Sequence, residues 1–167
     1  MLGVRFVLLV ILSFIIPNLA MAATNEAAKD KEIESLKGIT SLKYACVYDP
    51  DYKLIKIVST ELSKIDVPTK SVDLKDDAKT PLNSTEARLK VVVDDRKDQE
   101  SWVGLYVQQK ATLDRNRSVA CEAETYKIGT LCPRDKVDSA VKNLCAQFAN
   151  DFAMAAEVSK AGNSKPQ

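Results

Sequence analysis

The sequence predicts a two-layer α+β sandwich of strand, helix, three strands and helix. It has a mostly antiparallel four-stranded sheet, both helices on one face, and disulfides as staples. Three observations carry this prediction. Three successive segments alternate apolar and polar residues with period two. Two others repeat apolar residues at helical spacing, one between the first and second strands and one after the last. The chain also opens with an export signal and carries four cysteines beyond it: Cys46, Cys121, Cys132 and Cys145.

The first element is a cleavable signal peptide over residues 1–22. Arg5 supplies the positive charge, an apolar run extends from Phe6 through Leu12 to Ile16, and Pro17 and Asn18 break it. Ala20-Met21-Ala22 is the small-x-small pattern that signal peptidase accepts, with cleavage after Ala22 or, second, after Ala23. The competing reading is a membrane anchor, but a spanning helix needs about 20 apolar residues and Pro17 interrupts this run at about half that length. No Cys lies at the cleavage site, which argues against a bacterial lipoprotein. No second stretch is long enough to span. The mature protein is therefore expected in the periplasm or secreted, without stable membrane insertion after cleavage. The signal reads as bacterial rather than eukaryotic. Asn83-Ser84-Thr85 and Asn116-Arg117-Ser118 match the glycosylation pattern and matter only in a eukaryote.

Residues 23–38 are polar and charged, with Asn25, Glu26, Lys29, Asp30 and Glu32, and are expected to be a flexible leader with a helical turn at Ile33 and Leu36. One α+β domain follows over 39–158, and 159–167 is an expected disordered tail. Leu42 to Tyr48 predicts the first strand, with Tyr44, Cys46 and Tyr48 on one face. Leu54, Ile55, Val58, Leu62 and Ile65 predict a helix over 52–65, stopped by Pro68. Ser71 to Ser84 reads as loop with a short extended piece at Val72 to Leu74. Ala87 to Asp94 predicts the second strand and Trp102 to Leu113 the third. Arg117 to Ile128 predicts the fourth, with Val119, Cys121, Ala123 and Thr125 on the apolar face and Glu122, Glu124 and Tyr126 on the other. Gly129 to Pro133 reads as loop. Val137, Val141, Leu144, Cys145, Phe148 and Phe152 form the stripe of a last helix over 134–158.

Composition closes several chemistries. Lys and Arg total 24 and Asp and Glu 23. Loss of Arg5 with the signal leaves a neutral mature chain, which lacks the basic excess of a nucleic-acid binder. Histidine is absent, so Ser-His and Cys-His nucleophile pairs and the usual zinc sites are excluded. There is no glycine-rich phosphate loop. No cofactor and no metal are expected. The carboxylates Asp94, Asp95, Asp98 and Glu100 lack the spacing of a calcium loop and read as a solvated turn, as do Asp73, Asp76 and Asp77.

The even cysteine count in an exported chain predicts two disulfides. Matching their heights in the predicted layers gives Cys46–Cys132 and Cys121–Cys145. A Cys132–Cys145 bridge would have to span much of a helix.

The candidate binding surface is the sheet face away from the helices, with Trp102, Tyr106 and Tyr126 among Arg88, Lys90 and Lys110. Two plainer readings compete: cross-strand pairs that only stabilise the sheet, and a face covered by the leader or by a twin subunit in a homodimer. The element order is similar in outline to small domains of bacterial envelope assembly proteins, a likeness that carries over no residue. The expected function is an exported, non-enzymatic module that binds a protein of the envelope or extracellular space. The alternatives are an inhibitor or immunity-type protein against a toxin or hydrolase of the same compartment, and a His-free carboxylate enzyme.

Overall fold

The computed structural model describes residues 29–47, 49, 52–77, 79–113 and 116–162. The predicted signal peptide (1–22), leader residues 23–28 and tail residues 163–167 lie outside the described residues. Residues 29–34 are helical and are called α1. There follow β1 (Ser41–Val47), α2 (Lys53–Leu62), β2 (Thr69–Ser71), α3 (Leu74–Asp77), β3 (Glu86–Asp95), β4 (Glu100–Leu113) and β5 (Asn116–Pro133). A 3-10 turn (Arg134–Lys136) then leads into α4 (Val137–Gly162).

The α+β class stands, with corrections to the sheet. It has five strands in the order β2-β1-β3-β4-β5. It is mixed rather than mostly antiparallel: β1 pairs parallel with both β2 and β3, while β3–β4 and β4–β5 are antiparallel. The added strand arises where Pro68 ends the helical pattern. The Pro68 carbonyl accepts from the Leu42 amide at 2.9 Å, and Thr69–Ser71 then pair with Leu42–Tyr44. The extended piece expected at Val72 to Leu74 thus lies three residues too late. Gly129 to Pro133 is strand, not loop, because it supplies the ladder for Glu100–Gly104 of β4.

One core joins the helices to one sheet face. From α2 it takes Leu54, Val58 and Leu62, spaced four apart on one side of the helix. From α4 it takes Val141, Leu144, Cys145, Phe148 and Phe152. The strands contribute alternate residues: Leu42 and Tyr44, Leu89 and Val91, Val103, Leu105 and Val107. Each fully buried Leu, Val or Phe is worth about 1.5–3 kcal/mol in transfer free energy. Ile33, Leu36 and Ile39 also lie in this core. Packing therefore begins within the stretch read as leader, where the apolar spacing of Ile33 and Leu36 outweighs the surrounding charge.

Tyr126 corrects the predicted faces of β5. The β4–β5 register shifts between Val107 and Gln108: Val107 opposes Tyr126, but Gln108 opposes Glu124. Thr125 is the extra residue of a β-bulge, and a bulge reverses the alternation beyond it. Glu122 and Glu124 keep the outer face, while Tyr126 turns inward and is 2 % exposed. Its ring meets Phe148 edge-on at 5.6 Å, and its hydroxyl donates to Asp151 Oδ2 at 2.7 Å. Burial, then the Asp151 carboxylate, push the Tyr126 pKa well above the ordinary phenol value.

Candidate functional site

The sheet face opposite the helices is built from the other alternating set. On β4 this set reads Trp102, Gly104, Tyr106, Gln108 and Lys110. Ring and glycine interlock here. A Cβ on Gly104 would lie 2.6 Å from the Tyr106 ring, and one on Gly129 would collide with the six-membered ring of Trp102. Both rings therefore lie against the backbone, in space that only a glycine leaves free. Trp102 Nε1 donates to Tyr106 Oη at 3.4 Å, and the Arg96 guanidinium sits 5.9 Å from the Trp102 ring centre. Leu131 pairs with Trp102 across the ladder and is 47 % exposed. Lys90 opposes Tyr106, and Lys110 opposes Glu122.

Trp102, Tyr106, Lys90 and Lys110 thus share the predicted face. Tyr126 does not, because of the bulge. Arg88 does, but it is 3 % exposed and is not available to a partner. The segment carrying α3 crosses that half of the face. Arg88 Nε donates to Asp77 Oδ2 at 2.5 Å and Nη2 to the Asp77 carbonyl at 3.0 Å, while Nη1 pairs with Glu122. Lys43 joins the cluster, 3.1 Å from Asp77 and 3.2 Å from Glu86. Burial alone would raise Asp77, but its hydrogen bonds with Arg88 and Lys43 outweigh that and lower its pKa. Burial pulls Arg88 and Lys43 down, and their carboxylate partners more than compensate. Asp77 is therefore a buried ion-pair partner, not the solvated turn residue expected. Gly104, Gly129, Leu131 and Arg96 were missed in the sequence. The signal for Gly104 was present in the Trp-x-Gly-x-Tyr spacing, which puts all three residues on one face of a strand.

The predicted disulfides are absent, and all four cysteines stand as free thiols. The first pair fails on lateral position and the second on height along the strands. Cys46 on β1 and Cys132 on β5 are three strands apart, about 14 Å, where a bridge tolerates about 7 Å between Cα atoms. Cys121 opposes Ala111, six residues and about 20 Å along β4 from Leu105, which lies in the row of Cys46. Cys145 is buried near Cys46 and Glu61, and Cys121 is exposed. Burial, then Asp49 and Cys145, push the Cys46 thiol up to about 12. Burial, then Glu61, push Cys145 up to about 12. Neither thiol ionises near neutral pH.

A groove of about 530 Å³ opens at the carboxyl ends of β1 and β2, where they meet α2. Parallel sheets often place ligands there. Its two carboxylates are already engaged. Asp49 accepts from the amides of Lys53 at 3.1 Å and Ile55 at 2.7 Å, and Asp73 accepts from Lys75 N at 2.7 Å. These carboxylates cap α2 and α3 and occupy the amides an anion would need. The β3–β4 turn is likewise self-contained: Asp95 accepts from Ser101 Oγ at 2.6 Å and pairs with Arg134 at 3.5 Å. Among the described residues no group of three acidic, Cys or His side chains is placed to hold a metal, and no helix is long and apolar enough to cross a membrane.

No protein-family model matches the chain, and no curated protein does. Among solved structures, a minor lipoprotein from Acinetobacter baumannii aligns with 71 % of this chain and 94 % of its own, at 10 % identity and a TM-score of 0.30, a likeness too slight to carry an argument about fold or task.

Proposed function

We infer that the mature chain is an exported, non-enzymatic module that binds a protein of the cell envelope or extracellular space through the bare half of its outer sheet face. One observation carries the reading: Trp102 and Tyr106 lie against glycine backbone on the half of the outer face away from α3, beside the exposed side chain of Leu131. Aromatic side chains held in one orientation bind with little further loss of conformational freedom, and Trp and Tyr are enriched among binding hot spots. The signal sequence supports the compartment. The engagement of Asp49 and Asp73 as helix caps supports a role other than carboxylate catalysis.

The test is cross-linking of the mature protein in its native envelope, with identification of the bound species and titration of each with purified protein. Trp102→Ala with Tyr106→Ala should remove the captured partner and weaken its measured affinity by about a hundredfold or more, two hot-spot truncations being worth about 2 kcal/mol each at most partial additivity. Lys110→Ala, at the other end of the strand, should leave affinity within about threefold. Equal affinity of wild type and double variant, with both folded by circular dichroism, overturns the reading.

A further inference from the structure

β5 is an outermost strand of the sheet, and its two halves differ. The lower half is protected. It carries Glu122, Glu124 and the bulge at Thr125, and the Thr125 carbonyl accepts from Ser35 Oγ at 2.8 Å. Charges, bulges and covering segments are the usual means of blocking an exposed strand edge. Among the described residues the upper half has none of them. Ile128-Gly129-Thr130-Leu131-Cys132 is five residues without a charge. Beyond its ladder with β4, it makes one hydrogen bond among the described residues, from Thr130 Oγ1 to the Leu131 carbonyl at 3.4 Å. An uncharged strand edge of this kind is a template for pairing with another strand.

We propose that this segment pairs antiparallel with the same segment of a second copy of the chain, about a two-fold axis at Thr130. Residues directly opposite in an antiparallel pair share a face. With the axis at Thr130, Gly129 opposes Leu131 of the partner subunit, and the reverse, on the outer face. Ile128 opposes Cys132 of the partner subunit on the inner face. The largest exposed side chain of the edge thus meets its smallest residue twice, as a self-complementary two-fold interface requires. Trp102 Cζ2 and Cη2 lie over Gly129, so Leu131 of the partner subunit lands beside the indole. Lys127 falls opposite Pro133 of the partner subunit, so no like charges face each other. Moving the axis to Leu131 sets two leucines against one another and Gly129 against Pro133. Moving it to Gly129 sets Leu131 against Lys127. Thr130 is the axis that sets the large Leu131 against the small Gly129 on the outer face and Ile128 against Cys132 on the inner. Two five-stranded sheets become one of ten. The pairing goes beyond the binding role and does not depend on what the outer face binds.

Light scattering on size-fractionated mature protein, from micromolar to submillimolar concentration, tests it. Wild type should reach twice the monomer mass and fall toward the monomer on dilution. Leu131→Asp places a carboxylate in the apolar contact and should raise the dissociation constant by about tenfold or more. Glu124→Lys, on the protected half, should leave it unchanged. Leu131 is half exposed, so the variant keeps its fold, which circular dichroism checks. A wild type of monomer mass at every concentration overturns the proposal, as does a dimer indifferent to Leu131→Asp.

Discussion

The two halves of the outer sheet face are built by the same alternation and end in opposite environments. On the β1–β3 half the outward residues Lys43, Glu86 and Arg88 are charged, and the segment through α3 lies over them with Asp77 at the centre of the cluster. On the β4–β5 half the outward residues include Trp102 and Tyr106, both half-buried, with Leu131 exposed beside them. Arg88 is thus buried while Trp102 and Tyr106 keep part of their surface, the reverse of what residue type suggests. A buried charge must be paired and hydrogen-bonded, and Arg88 is, through Nε, Nη1 and Nη2. An aromatic ring can remain near water if its inner side is packed, and glycine backbone supplies that packing. Cover is decided by partners, not by hydropathy.

The largest effect should come from breaking the covered half. Asp77→Ala leaves the Arg88 guanidinium buried with one carboxylate fewer, and should cost about 3–5 kcal/mol in urea unfolding. The same pair makes stability depend on acid. The folded-state pKa of Asp77 is lowered, so the unfolded chain binds the proton more readily. The stabilisation is complete above the unfolded carboxylate value of about 4 and is lost as pH falls through the lower folded value. Wild type should lose stability below about pH 4, and Asp77→Ala should lose less over the same range. Parallel acid limbs in the two proteins would remove Asp77 from the account.

A smaller loss is expected from Tyr126→Phe, which decides whether the bulge has turned this residue away from the outer face. It leaves the buried Asp151 without its donor and should cost about 1.5–3 kcal/mol. A change below about 0.5 kcal/mol would return Tyr126 to an exposed position. On the bare half, Gly129→Ala drives a methyl into the Trp102 ring and should cost about 1–3 kcal/mol. Because Trp102 is the sole tryptophan, its emission should shift to longer wavelength as the ring lifts toward water. Unchanged emission and stability would mean that the ring does not rest on Gly129.

Legibility in the sequence tracked the range of the interaction. The α2 stripe of Leu54, Val58 and Leu62, the α4 stripe through Phe148, and the period-two runs of β3 and β4 were all plain, because each follows from residues within a few positions. Trp102 and Tyr106 were placed on the correct face for the same reason. β2 escaped because three residues carry too little alternation to stand out, and they form a strand only against the edge of β1. Tyr126 was misplaced because a bulge adds one residue without a sequence mark. The cysteine pairing failed because strand order and register, which set lateral position and height, are both decided between residues distant in sequence.

By itself, then, the amino-acid order determined the apolar stripes, the two helices that cover one face, the absence of histidine chemistry and the near balance of charge. Those depend on composition and on local periodicity. Only the tertiary structure decided that Arg88 and Asp77 are buried together, that Trp102 lies over Gly129, that Cys46 and Cys132 are three strands apart, and that one half of the β5 edge is protected while the other is not. Each of these rests on contacts between residues distant in sequence, where pairing and register, rather than residue type, set which groups meet.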